Sequence, residues 1–207
     1  MLQNRTIEPR TLGLLRALMS MPLLNPFYLV GGTALALQLG HRLSVDIDLF
    51  SLEPFDKNEL LEVLNSAFES VAVESEGTTM MITNINGIKV DFVKMSYPFL
   101  FPPLIVEDIR MLSVRDIAPM KLKAVTQRGS KKDFFDLYFL LDLMPLQEML
   151  HLFQEKFKQH EIFHVIKSLS YFDDAEGYAD PMVFDAAVTW EKVKTKMRKV
   201  VQEVSNF

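Results

Sequence analysis

Cysteine is absent from this 207-residue chain, so it has no disulfide, no thiolate nucleophile and no cysteine-ligated zinc or iron–sulfur centre. Histidine is scarce too: with four in all, a bound metal would rest mainly on oxygen ligands. Long apolar runs are missing. The longest stretch without a charged side chain, Ala17 to Gly40, has the length of a membrane span, but Pro22, Asn25, Pro26, Gly31, Gly32 and Gln38 interrupt it. The N-terminus spreads Arg5, Glu8, Arg10 and Arg16 over a helical pattern and lacks a signal-peptide layout, so the expectation is a cytoplasmic protein with no membrane partner. Low-complexity sequence is lacking as well. Hydrophobic residues at 49% and charged residues at 24% describe a folded globular chain, long enough for one large domain or two modest ones.

A surplus of positive charge is also missing, since the formal net charge is −5, but that average hides two opposed blocks. Residues 46 to 76 hold nine acids and the single base Lys57. Residues 110 to 132 hold seven bases (Arg110, Arg115, Lys121, Lys123, Arg128, Lys131, Lys132) and one acid, Asp116. Such a split suits a site that holds cations on one side and a polyanion on the other, although two solvated helix faces would look the same.

Hydrophobic period divides the chain into an early mixed half and a later helical half. Leu12, Leu14, Leu15, Leu18 and Met19 mark a helix from Thr6 to about Met21, ended by Pro22. Phe27 to Val30 reads as a buried strand closed by Gly31-Gly32, after which Thr33 is placed to cap a short helix ending at Gly40. A second strand is expected over Asp46 to Ser51, and Asp56 with Glu59 opens a helix to about Phe68. Val71 to Val93 reads as strands, with Asn86-Gly87 as a hairpin turn, and Tyr97 to Pro103 is a proline-rich connector. Beyond it, Asp116 is expected to cap a helix through Gln127 with Pro119 in its first turn, and Ser130 with Asp133 to box a helix over Lys131 to Leu143. Further helices are expected over Leu146 to Gln159, Ile162 to Leu169 and Trp190 to Val204.

Asp46 and Asp48 would project from one face of their strand about 6–7 Å apart, an arrangement that invites a neutralising cation. Asp91 points away from the apolar face formed by Ile88, Val90 and Phe92, so an adjacent strand would bring it beside the pair. Three carboxylates suit Mg²⁺, which is commonly shared with substrate phosphates. Gly31 and Gly32 at a strand-to-helix turn permit close backbone approach to such a phosphate. Two ions on three aspartates could activate a hydroxyl and stabilise a leaving pyrophosphate, with Asp91 also a candidate general base. Lys121 and Arg128, seven residues apart on one helix, share a face and could reach one polyanion. His41, next to Arg42, is a candidate substrate contact, whereas His151, His160 and His164 read as structural or solvent-facing. The bases of 192 to 199 read as a solvated helix rather than a nucleic-acid surface, and Lys132 with Asp136 could be only an i,i+4 pair. Asp133 stays open between a capping role and a site role.

The run Gly31-Gly32-Thr33-Ala34-Leu35-Ala36-Leu37, followed by Gly40-His41-Arg42-Leu43-Ser44-Val45-Asp46-Ile47-Asp48-Leu49-Phe50, resembles the first motif of the DNA polymerase β-like nucleotidyltransferase superfamily, in its AbiEii/AbiGii toxin-like branch. Met120 to Arg128 and then Lys132-Asp133-Phe134-Phe135-Asp136-Leu137-Tyr138 resemble that branch's downstream motif. The resemblance implies an α+β fold: a mixed-sheet nucleotidyltransferase core with flanking helices over residues 1–112 and a helical C-terminal domain over 113–207. It implies transfer of a nucleoside monophosphate from an NTP to an acceptor by the toxin-like member of a toxin–antitoxin or phage-defence pair with a cognate antitoxin, and the basic block of residues 110 to 132 favours RNA, in particular tRNA, as that acceptor. By the same resemblance Asp46, Asp48 and Asp91 are metal ligands for two Mg²⁺ ions, or Mn²⁺ in their place. Gly31, Gly32 and Ser44 lie near the triphosphate, Lys121 contacts phosphate, and Asp133 and Asp136 are acids of the second motif. Two other classes remain in view. A binding module without turnover would have shed one of the three aspartates, and a small-molecule transferase would carry a compact acceptor pocket instead of a basic surface.

Overall fold

Short β-branched and aromatic runs build one seven-stranded mixed sheet in the computed structural model, which describes residues 1–205. The strands are β1 (Phe27–Leu29), β2 (Ile47–Ser51), β3 (Val71–Gly77), β4 (Met80–Ile85), β5 (Ile88–Lys94), β6 (Leu104–Val106) and β7 (Ile109–Met111). Their order is β3-β4-β5-β2-β1-β7-β6. β2 runs parallel to β5 and β1 parallel to β7, while the other neighbours are antiparallel. The hairpin between β4 and β5 turns at Asn86-Gly87, both with positive φ (51° and 84°), and pairs Ile85 with Ile88. Alternation then buries Ile88, Val90 and Phe92 and leaves Lys89, Asp91 and Val93 on the opposite face.

Helices α1 (Pro9–Met19), α2 (Gly31–Leu39) and α3 (Lys57–Ala67) flank the sheet. Asp56 caps α3 by accepting from the backbone N–H groups of Asn58 and Glu59 at 2.8 and 3.1 Å, as its sequence signal implies. Every strand is complete before residue 112, and helices follow: α4 (Val114–Gln127), α5 (Lys131–Leu140), α6 (Leu146–Phe157), α7 (Phe163–Ser168), α8 (Asp173–Glu176) and α9 (Trp190–Ser205). One hydrophobic core joins both halves, taking Leu29, Leu49 and Phe92 from the sheet and Ile117, Phe134 and Phe153 from the helices. The fold is α+β, a mixed sheet with flanking helices followed by a helical region. The late segment also returns to the sheet side: Leu43 N–H donates to the Met182 carbonyl and Phe184 N–H to the His41 carbonyl.

Three caps differ from the sequence expectation, each because another partner claims the side chain. Helix α2 begins at Gly31, three residues early, and Thr33 instead donates its hydroxyl to the Asp46 carbonyl and lies 2.9 Å from Ser44 Oγ. Helix α4 is capped by Ser113, so Pro119 falls inside the helix rather than in its first turn. Asp116 is buried, accepts from the Leu100 and Phe101 backbone N–H groups, and receives the Lys156 ammonium at 2.7 Å. Ser130 makes no capping bond to α5 and donates to Asp133 Oδ2 at 2.6 Å.

Candidate active site

The parallel pairing of β2 with β5 sets Asp48 opposite Asp91 in register, and Asp46 lies one residue before β2. All three carboxylates line a cleft of about 610 Å³ whose rim includes Gly31, Gly32, Ser44, Lys121 and Arg128. The gathered set is therefore the one marked by Asp-x-Asp and the later strand Asp. The three carboxylates do not converge on one point, however. Among the described residues, no three His, Asp or Glu side chains are drawn close enough to hold a metal ion as they stand. Like charges repel, and each outer carboxylate leans on a lysine: Asp91 Oδ2 on Lys89 Nζ at 2.9 Å, Asp46 Oδ2 on Lys132 Nζ at 3.5 Å. The pairing of Lys132 with Asp46 replaces its expected i,i+4 pairing with Asp136.

Negative charge on the sheet side is most crowded at Asp48. Burial, and then the neighbouring Asp91 and Asp46 carboxylates, push its pKa up to about 6 against the pull of Lys121 and Lys89. Asp91 Oδ1 is buried without a hydrogen-bond partner. An orphaned carboxylate oxygen beside an over-concentrated negative charge fits an oxygen-seeking divalent cation, so the donor set is suited to one.

The two glycines make room for specific neighbours. Gly31 sits at φ +67°, and a Cβ there would stand 2.2 Å from Asp48 Oδ2. A Cβ on Gly32 would stand 2.4 Å from Arg42 Nη2. The Gly-Gly turn thus admits one carboxylate and one guanidinium against the start of α2.

Helical residues supply the opposite wall through a buried ion network. Asp136 accepts from Arg42 Nε (2.6 Å) and Nη2 (2.9 Å), and meets His41 Nε2 at 2.8 Å and Lys121 Nζ at 2.6 Å. Asp133 accepts from Lys121 Nζ at 3.0 Å, from Arg128 Nε and Nη2 at 2.8 and 3.0 Å, and from Ser130. Burial would raise the pKa of both acids, but Arg42 and Lys121 hold Asp136 well below the usual carboxylate range, and Lys121 and Arg128 hold Asp133 down to about 2. Burial works against the Lys121 ammonium, yet Asp136 and Asp133 raise its pKa. The second-motif acids are thus the anchors of cations, three of which, Arg42, Lys121 and Arg128, line the cleft. His41 is turned into this network instead of toward substrate.

Lys89 and Arg42 carry more of the site than the sequence reading gave them. Lys89 had a signal, two residues before Asp91 on the same strand face; Arg42 had none, because its partner lies 94 residues away. The basic row on α9 is largely matched by acids: Lys194 by Glu176 and Glu191, Lys196 by Asp142, Lys199 by Glu203. Among the described residues no helix is long and apolar enough to cross a membrane.

The family model described as nucleotidyl transferase AbiEii toxin, Type IV TA system, matches residues 13–203. An uncharacterised protein of Aquifex aeolicus (strain VF5) is 34% identical over 195 residues, covering 91% of this chain and 93% of its own. The fold is similar to that of JHP933 from Helicobacter pylori, with a TM-score of 0.55 at 17% identity over 96% of this chain and 93% of the other. It is also similar to MenT4, a nucleotidyltransferase toxin from Mycobacterium tuberculosis, with a TM-score of 0.56 at 15% identity over 92% and 83% of the two chains. A family match across all but the ends of the chain decides its membership: the protein belongs to the AbiEii nucleotidyltransferase toxins of type IV toxin–antitoxin systems, a family of transferases whose membership implies an antitoxin partner.

Proposed function

We propose that this chain transfers a nucleoside monophosphate from an NTP to a hydroxyl of RNA, with tRNA as the favoured acceptor. The observation that carries the reading is the single cleft in which Asp48 and Asp91 pair in register, Asp46 adjoins them, and a glycine turn and a cationic wall face them. Asp46, Asp48 and Asp91 would hold Mg²⁺, or Mn²⁺ in its place. The ion supplies charge neutralisation at the leaving pyrophosphate and acidifies the attacking hydroxyl.

The rest falls to the chain itself. Arg128 and Lys132, both half-exposed at the cleft rim, attract and orient the triphosphate, while Lys121 adds positive potential from beneath. Gly31 and Gly32 open the start of α2 to a phosphate, and Ser44 lies beside them. The acceptor oxygen attacks the α-phosphorus, the bond from that phosphorus to the bridging oxygen breaks, and pyrophosphate departs with the electron pair. Asp91, which lines the cleft and has one oxygen without a partner, takes the hydroxyl proton. The basic rim favours a polyanionic acceptor over a neutral one.

Label transfer tests the reading: purified protein with Mg²⁺, each α-labelled NTP in turn, and total RNA, the protein itself or a small-molecule extract as acceptor. Label is expected on RNA with the wild type and on nothing with the Asp46→Ala, Asp48→Ala variant. Label on small molecules alone would overturn the RNA assignment, and no transfer to any acceptor would overturn catalysis.

A further inference from the structure

Lys89 belongs to the same strand face as Asp91, two residues along β5, so both side chains enter the cleft from the sheet. Its ammonium lies 2.9 Å from Asp91 Oδ2 and its side chain is 41% exposed, while the other Asp91 oxygen is buried and unpartnered. The contact is more than a surface ion pair, whose worth is small. Asp46 and Asp48 line the same cleft as Lys89 and Asp91, so the ammonium stands among the carboxylate set.

We propose that Lys89 is a tethered counter-ion of the carboxylate set: its ammonium neutralises Asp91 in the metal-free protein, must leave Asp91 Oδ2 when a divalent cation enters, and is then released toward the phosphates of the nucleotide. The proposal rests on the reading that Asp46, Asp48 and Asp91 hold that cation. An ammonium in hydrogen-bond contact with a carboxylate oxygen competes with any metal for that oxygen. Four methylenes and a half-open position let the side chain swing without disturbing the core. Once displaced it remains in the cleft, where triphosphate oxygens offer it new acceptors, so nucleotide binding recovers the interaction that metal binding costs. Metal and nucleotide then bind with positive coupling through a residue of the protein itself.

The test is Mn²⁺ titration of wild type, Lys89→Met and Asp91→Asn, followed by the paramagnetic signal of free Mn²⁺, with and without a non-hydrolysable NTP analogue. Lys89→Met is expected to bind Mn²⁺ alone about three- to tenfold more tightly than wild type, and to gain less from the analogue. Unchanged or weaker Mn²⁺ binding by Lys89→Met, with binding still lost in Asp91→Asn, would overturn the counter-ion while leaving the metal reading intact. Equal Mn²⁺ binding by Asp91→Asn and wild type would overturn the metal reading and the displacement with it. Thermal melts in EDTA read the counter-ion without any metal: Lys89→Met should lower Tm more when Asp91 is present than in combination with Asp91→Asn. Equal losses in the two backgrounds would overturn the proposal.

Discussion

Single atoms decide the glycine turn. At Gly31 a methyl group would need both a left-handed backbone and the space held by Asp48 Oδ2, so Gly31→Ala should cost about 1–3 kcal/mol and displace the carboxylate. Urea denaturation and label transfer should fall together; a variant with wild-type stability would show that the turn relaxes. At Asp48 the expected change has the opposite sign. A pKa raised to about 6 means that the carboxylate stabilises the fold least when ionised. The destabilisation is absent below the unfolded value near 3.8, grows as pH rises through about 6, and is complete above it. Asp48→Asn should therefore be more stable than wild type by about 1–2 kcal/mol at pH 7 in EDTA, with no difference near pH 4. Melts at the two pH values check this, and a gain that persists at pH 4 would point to a cause other than charge.

Elements are tied to one another by buried charge. Asp116 on α4 and Lys156 on α6 are fully buried, and between them they hold the connector through the Leu100 and Phe101 N–H groups and the Pro98 carbonyl. Asp116→Ala would strand a buried ammonium and should cost about 3–5 kcal/mol, whereas adding Lys156→Met should return part of that loss. Urea melts of the single and double variants measure the difference, and additive losses would show that the two groups do not act as a pair. The same buried charges explain where sequence reading failed. Strands β1 to β5, the longer helices and the Asn86-Gly87 hairpin were legible because period and turn chemistry are local, whereas the three-residue strands β6 and β7 and the single turn of α8 are too short to show a period. The caps at Asp116 and Ser130 were misread: Asp116 looks like an N-cap until Lys156, 40 residues away, claims its carboxylate, and Ser130 with Asp133 looks like a box until Lys121 and Arg128 draw that carboxylate.

Across the whole molecule, sheet and helices present two charge systems to one cleft; the sheet side was legible in strand alternation, and of the helical side only the spacing of Lys121 and Arg128 was. Strand alternation placed Asp48 and Asp91, and the structure brings them into register. The helical wall depends on contacts between residues far apart in sequence, such as Arg42 with Asp136, which no spacing encodes. The two systems should respond oppositely to acid. Asp133 is held down to about 2 by Lys121 and Arg128 despite its burial, and Asp136 lies well below the usual range, so their contribution is present above about pH 4 and fades as pH falls toward 2. Protonation of Asp48, by contrast, relieves repulsion on the way down through pH 6. Asp133→Asn should thus be about 1–3 kcal/mol less stable than wild type at pH 7, and the gap should narrow as pH falls from about 4 toward 2, where the unfolded carboxylate takes up its proton before the folded one. Melts from pH 7 to pH 3 follow that gap directly. If it stayed constant with pH, the role of Asp133 would lie in shape and neutral hydrogen bonding, and the helical wall would owe its stability to something other than the charge pairs that Lys121 and Arg128 form.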